Sequence, residues 1–295
     1  MSLAISYGKP LPDEQRLAIL DQTHELGERF WDTGNFYGDA EELLGKWFAK
    51  PANGTTFSSR PRFGFRGDIA FVAEACELSL KRLSTDHIDL WYQYRLDGAT
   101  PIEHIVAEMV KMKEQGKVRY LGLCEVSAET LRRAYAVHPI TAVQSNPKVG
   151  LLEACRELGV AVVAYCPLSR GLLSGQIKSR DGFEEGDARQ YYPRFSEENF
   201  PKNMAIVAEL EKLAKAKGCT TGQLTLAWLL NQGDDIFPIP GTKTPKYLEE
   251  NFAAVNVELT SNEVARIRSL VDNASSGDRY APEHAIVLFI SGSRC

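Results

Sequence analysis

The segment FWDTGNFYGDAEELLG sets Asp32 and Tyr37 five residues apart, just ahead of a helix-like run. A carboxylate beside a phenol can belong to a proton-donor system, because a phenol with an ordinary pKa of about 10 gives up its proton near neutral pH only with help. The pair alone also reads as a helix cap and a packing tyrosine. A second place for chemistry is FPIPGTKTPKYLEENFAAV, where a strand leads through Gly241, Thr242 and Lys243 into a helix. Helix-terminal N–H groups and a lysine favour an anion such as phosphate. Between these two lie LWYQYRLD, GLCEVS, AVQSN and AYCPLSRGLLSG, apolar runs that each end in polar residues. Within the first of them, Arg95 and Asp97 read as a structural ion pair. No GxGxxG, HExxH, GxSxG or Walker A pattern occurs, and the five histidines lack ligand spacing, so no metal site is expected.

Polar residues at strand ends matter most if those ends share one mouth, and the surrounding elements supply that arrangement. Strand-like runs fall at Leu3–Tyr7, Arg29–Thr33, Ile88–Arg95, Arg119–Glu125, Thr141–Gln144, Ala161–Tyr165 and Phe237–Pro240. Amphipathic helical segments separate them, and two more follow the last strand. Pro101 opens one helix and Gly116 closes it. Thr260 with Glu263 makes a capping box for another. This alternation implies parallel strands with crossover helices, and inner strands such as AVVAY are apolar enough to be covered on both faces. Seven strands are one short of a closed (β/α)8 barrel. The stretch between Lys50 and Ala70, rich in Gly, Pro, Ser and Arg, reads as a loop where a third strand should fall. Asp181–Asn203 reads as a long surface loop at the barrel mouth.

Taken together, FWDTGNFYGDAEELLGKW, SLKRLSTDHIDLWYQYRLD, GKVRYLGLCEVSAETLRRA, AYCPLSRGLLSG and the GTK segment resemble the aldo-keto reductases over nearly the whole chain. They are most similar to the fungal and plant-type group related to pyridoxal and auxin-induced-type reductases. The resemblance implies one α/β domain over residues 1–295, a (β/α)8 TIM barrel incomplete at strands one and three. It implies NADPH as cofactor and hydride transfer to an aldehyde or ketone.

The family's proton relay is Asp, Tyr, Lys and His. By resemblance Asp32 and Tyr37 are its first two members, Tyr94 stands where the His would be, and Arg62 falls at the Lys position. Alternatively the Lys-bearing strand is lost, and Lys50 is the other nearby cation. For the cofactor, the resemblance places Gln144, Cys124 and Glu125 at the nicotinamide carboxamide and Tyr165 against the ring. Leu168, Ser169 and Arg170 fall beside the pyrophosphate, Gly241, Thr242 and Lys243 at the 2′-phosphate, and Glu250 and Asn251 at adenine. An altered relay leaves two expectations open: a carbonyl reductase, in fungal secondary metabolism, or an NADPH-binding accessory subunit with impaired catalysis.

Composition sets the outer limits. The 295 residues, 44% of them hydrophobic, suffice for one barrel. A net charge of −5 argues against a nucleic-acid-binding face. No apolar run is long enough to span a membrane. The six cysteines form no CxxC pair, so reduced thiols and a cytoplasmic location are expected. Oligomeric state and the identity of the carbonyl substrate are not encoded in any motif.

Overall fold

The computed structural model describes residues 2–50, 57–60, 69–146, 150–272 and 276–280. Among the described residues, seven parallel strands form one sheet in chain order: β1 (Trp31–Gly34), β2 (Phe57–Arg60), β3 (Ile88–Gln93), β4 (Val118–Cys124), β5 (Ala142–Gln144), β6 (Ala161–Tyr165) and β7 (Ile236–Ile239). Helices α1 (Asp13–Glu25), α2 (Ala40–Phe48), α3 (Ile69–Leu83), α4 (Ile102–Glu114), α5 (Ala128–Val137), α6 (Leu151–Leu158), α7 (Asn199–Lys217), α8 (Thr221–Leu230), α9 (Pro245–Phe252) and α10 (Ser261–Asp272) accompany them.

Two apolar layers hold this arrangement. The larger lies between strands and helices, with Trp47, Trp91, Leu121, Leu123, Val143 and Val162 buried in it. The smaller gathers Leu90, Tyr92, Cys124, Ala142 and Val163 from four different strands, and Phe30 and Ile239 pack on it from the two ends of the sheet. Residues from both ends thus meet one interior cluster, as the inward faces of a barrel do. All six residues of β3 are buried, and its one carboxylate, Asp89, accepts from Arg119 Nη1 at 2.7 Å.

The helix ends follow local chemistry. Gly116 adopts φ +76° just past α4, and Lys117 N–H reaches back to Met112 O at 3.0 Å. Thr260 and Glu263 close the expected capping box: Glu263 N–H donates to Thr260 Oγ1 at 3.3 Å and Thr260 N–H to Glu263 Oε2 at 2.7 Å.

Two expectations about strands are overturned. Leu3–Tyr7 is not a strand but a run of turns and bends, with Ser6 at φ +80°. Its Ala4 packs beside Tyr37 and Ala40, and Leu3 O accepts from Arg16 Nη1. The stretch read as loop contains β2, which pairs with β1 through Asp32↔Ser58 and Gly34↔Arg60 and with β3 through Ser58↔Leu90. Its FSSR sequence has weak strand preference. Pairing on both sides supplies backbone hydrogen bonds that do not depend on side-chain type.

Candidate active site

The strand ends open into one cleft of about 940 Å³. It is lined from one end to the other by Asp32, Tyr37, Tyr94, Gln144, Tyr165, Arg170, Lys243 and Asn251, so residues far apart in the sequence share one mouth.

Asp32 sits in β1, and the turn that follows places Tyr37. Tyr37 N–H donates to Gly34 O at 2.9 Å and Tyr37 O accepts from Ala40 N–H at 3.1 Å, which folds the chain directly into α2. Tyr37 is 4% exposed, and its ring lies 4.0 Å from that of Phe36. Phe36 in turn lies 5.7 Å from Tyr94.

Asp32 and Gln144, given separate roles by the resemblance, are bonded to each other: Gln144 Nε2 donates to Asp32 Oδ2 at 2.8 Å. Chemistry fixes the amide's orientation, because an ionised carboxylate only accepts. Gln144 is fully buried, and among the described residues its Oε1 has no hydrogen-bond partner. An orphaned buried acceptor carries an energetic cost unless a ligand N–H completes it. The carboxamide of a nicotinamide offers such a donor, so this residue fits the implied cofactor.

The neighbouring strand ends support the same region. Cys124 closes β4 as the register partner of Gln144. Glu125 follows at φ +51°, held by its N–H on Gln144 O and by Ser145 Oγ on its Oε1 at 3.0 Å. Tyr165 closes β6, and its carbonyl accepts from Asn146 Nδ2. Burial, and then the adjacent Tyr280 phenol and Glu125 carboxylate, push the Tyr165 phenol above its ordinary range.

Past Tyr165 the chain bends sharply. Cys166, Ser169 and Arg170 all adopt left-handed φ values of 48–57°, which side-chain-bearing residues rarely hold. Tertiary contacts maintain the bend. Arg170 stacks 3.8 Å from the Tyr192 ring centroid and 5.0 Å from that of Tyr280, and Arg194 Nη1 donates to Ser169 Oγ at 3.3 Å. Leu168 and Arg170 line the cleft.

The far arm holds Gly241, Thr242 and Lys243, with Pro245 opening α9. Thr242 Oγ1 accepts from Thr244 N–H at 3.1 Å, and Lys243 Nζ donates to Tyr7 O at 2.7 Å. One lysine and the N-terminal N–H groups of α9 suit a phosphate. Glu250 accepts from Thr220 Oγ1 at 2.7 Å, which ties α9 to the capping box of α8.

Other sequence readings fare differently. Arg62 lies outside the described residues. Lys50 does not turn toward Tyr37; it pairs with Asp21 at 3.0 Å. Arg60 ends β2 as the register partner of Gly34, two positions beyond the partner of Asp32. The Arg95–Asp97 pair does not form. Asp97 instead accepts from Ala99 N–H, Thr100 N–H and Thr100 Oγ1, capping the turn before α4. Asp181–Asn203 is not an open loop: it contains two short 3₁₀ turns, Phe195 is buried, and Tyr192 faces the cleft.

The sequence reading missed Arg279 and Tyr280. Arg279 Nη1 and Tyr280 Oη each lie 3.0 Å from Tyr165 Oη, and Tyr280 lines the cleft. No periodic signal marks them, because they follow α10 outside any helix or strand among the described residues. Among the described residues no cluster of His, Cys, Asp and Glu could hold a metal ion, and no helix is long and apolar enough to cross a membrane.

With the geometry established, relatives can be compared. The Aldo/keto reductase family matches residues 1–272. The aldo-keto reductase str7 of Strobilurus tenacellus is 48% identical over 299 residues, covering 96% of this chain and 89% of its own. The NADP(+) aldo-keto reductase yakc of Schizosaccharomyces pombe is 44% identical over 314 residues, covering 98% and 92%. Among solved structures, a glycerol dehydrogenase from Gluconobacter oxydans superposes with a TM-score of 0.82 at 24% identity, covering 94% of this chain and 91% of that one. A thermostable aldo-keto reductase solved with the inhibitor epalrestat gives 0.72 at 27% identity, covering 92% and 93%. The fold is therefore the (β/α)8 barrel of these neighbours. The family's enzymes use NAD(P)H to interconvert carbonyl compounds and alcohols. This chain belongs to the aldo-keto reductase family.

Proposed function

We propose that this protein uses NADPH to reduce an aldehyde or ketone to an alcohol, with Tyr37 delivering the proton to the carbonyl oxygen. The observation that carries this reading is the Asp32–Gln144 pair. One end of a buried amide is fixed on the carboxylate and the other is left as an open acceptor, in the same cleft as Tyr37. When bound, NADPH supplies the hydride. Gln144, Cys124 and Glu125 hold the carboxamide, and Tyr165 lies against the ring. Leu168, Ser169 and Arg170 flank the pyrophosphate. Gly241, Thr242 and Lys243 take the 2′-phosphate and so favour NADPH over NADH. Glu250 and Asn251 meet the adenine.

Tyr94, in the position of the family's His, lies beyond Phe36 and orients the carbonyl through its hydroxyl. Residues 1–295 act as one barrel domain, in a reducing cytoplasm. We place the reaction in fungal specialised metabolism, in keeping with the likeness to fungal members. The change to Tyr94 also supports a second reading, an accessory subunit that binds NADPH without turnover.

NADPH fluorescence titration tests the common part. Saturable binding at tens of micromolar or below is expected, and its absence overturns both readings. NADPH oxidation across a panel of aldehydes then separates enzyme from binder. For the enzyme, Tyr37→Phe is expected to lose roughly 10²–10⁴-fold in kcat/KM with NADPH affinity retained, because general acid assistance is worth that much. Retained turnover in that variant moves the proton donor elsewhere.

A further inference from the structure

Arg95 is an arginine in an unusual position. It is 7% exposed, lines the cleft, and forms no ion pair among the described residues. Its contacts are a hydrogen bond from Nη1 to Tyr94 O at 2.8 Å and the face of the Tyr94 ring, 4.1 Å from its guanidinium carbon. Gln93 Nε2 donates to Arg95 O at 2.8 Å and pins the backbone at that point. A buried guanidinium has lost water, and a carbonyl plus a ring face replace it only in part. The rest of its donor fork suits a planar anion.

The surroundings narrow the choice of anion. Glu125 interacts electrostatically with both Arg95 and Arg279, and the Arg170 guanidinium lies 5.0 Å from the centroid of the neighbouring Tyr280 ring, so guanidinium groups are in excess here. That excess suits an anion, and the planar fork of Arg95 suits a carboxylate. The walls are aromatic: Tyr94 and Tyr280 lie beside Arg95, and Phe36 leads from Tyr94 to Tyr37. Aromatic side chains favour a flat, ring-bearing ligand.

We propose that Arg95 forms a carboxylate subsite of the cleft, so that the preferred substrates are aromatic carbonyl compounds carrying a carboxylate on the side away from the reacting carbon. This deepens the reductase reading and rests on it for turnover, while the binding step stands on Arg95 alone.

The test compares 4-methylbenzoate with 4-methylbenzamide by calorimetry on protein saturated with NADPH. It also compares 4-carboxybenzaldehyde with benzaldehyde in NADPH oxidation. The wild type is expected to bind the carboxylate at least tenfold tighter than the amide. Arg95→Gln is expected to lower that preference, and the kcat/KM ratio of the two aldehydes, by about tenfold to a hundredfold. Arg95→Lys, which keeps charge but not the fork, is expected to fall between. Arg132→Gln, at an exposed ion pair with Glu157, serves as the control that keeps the preference.

Equal affinity of the wild type for acid and amide overturns the subsite, even if Arg95→Gln fails to fold. An Arg95→Lys protein with undiminished preference also overturns it, as does an equal loss on both aldehydes in Arg95→Gln. Carboxylate binding that depends on Arg95, without reduction of either aldehyde, supports the subsite and overturns the reductase reading instead.

Discussion

Gln144 concentrates the argument at the scale of single residues. Its Nε2 is held by Asp32 and its Oε1 is open, so the two ends of one amide face the relay and the ligand separately. Replacing it with Met keeps the bulk but removes both the donor to Asp32 and the open acceptor. Gln144→Met is therefore expected to weaken NADPH binding by about 1–3 kcal/mol, the cost of leaving a buried polar contact unmade. Fluorescence titration checks this, and unchanged affinity removes Gln144 from the carboxamide site. Residues of this kind were legible because they close strands: Gln144, Cys124 and Tyr165 all sit where an apolar run turns polar. Arg95 was read as half of an ion pair because Asp97 is two residues away. Asp97 instead accepts three hydrogen bonds from the turn before α4.

At the scale of elements, tight approach sets the limits. Gly122 in β4 faces the Tyr92 ring, and a Cβ there would overlap that ring. Gly122→Ala is expected to destabilise the protein by about 1–3 kcal/mol, as overpacking does, and Tyr92→Leu in the same chain to recover part of the loss. Chemical denaturation of the three variants measures both effects, and a neutral Gly122→Ala contradicts the packing described. At the edge of the fold, the capping box of α10 carries a pH signature. Thr260 N–H, then Lys217 and the Thr260 hydroxyl, hold the Glu263 carboxyl down to about 2. A depressed acid stabilises fully above its unfolded pKa of about 4.3 and loses that contribution as pH falls toward 2. The melting-temperature difference between wild type and Glu263→Gln is thus expected to shrink across that window; a constant difference rules the effect out.

Legibility of the elements depended on how much of their stability is local. The β6 run Ala161–Tyr165 was readable to the residue because it is apolar and bounded by Gly159 and Pro167. The β2 run was hidden because its strands on either side, not its own FSSR sequence, decide its conformation.

For the molecule as a whole, both described ends of the chain converge on the cleft. Lys243 reaches Tyr7 O, and Arg170 donates to Arg279 O while Arg279 reaches Tyr165. A cofactor filling that space binds the folded form only. At a hundredfold excess over Kd, NADPH is expected to add about 2.7 kcal/mol and raise the melting temperature by roughly 5 °C. It is also expected to slow tryptic cleavage at Arg279, and an unprotected Arg279 would separate the C-terminal contacts from the cofactor. This convergence was the least legible part, since contacts spanning 109 to 236 positions leave no periodic trace in a sequence.

The bend after β6 has a consequence for how such a chain can change. Cys166, Ser169 and Arg170 occupy backbone conformations that glycine would adopt without strain. Selection for thermal robustness alone would drive these positions toward glycine. As they stand, Cys166 and Arg170 line the cleft, Ser169 meets Arg194, and Arg170 stacks on Tyr192 and Tyr280. The bend is therefore where an engineered lineage would trade ligand grip for endurance, and glycines appearing there would record that the grip had become dispensable.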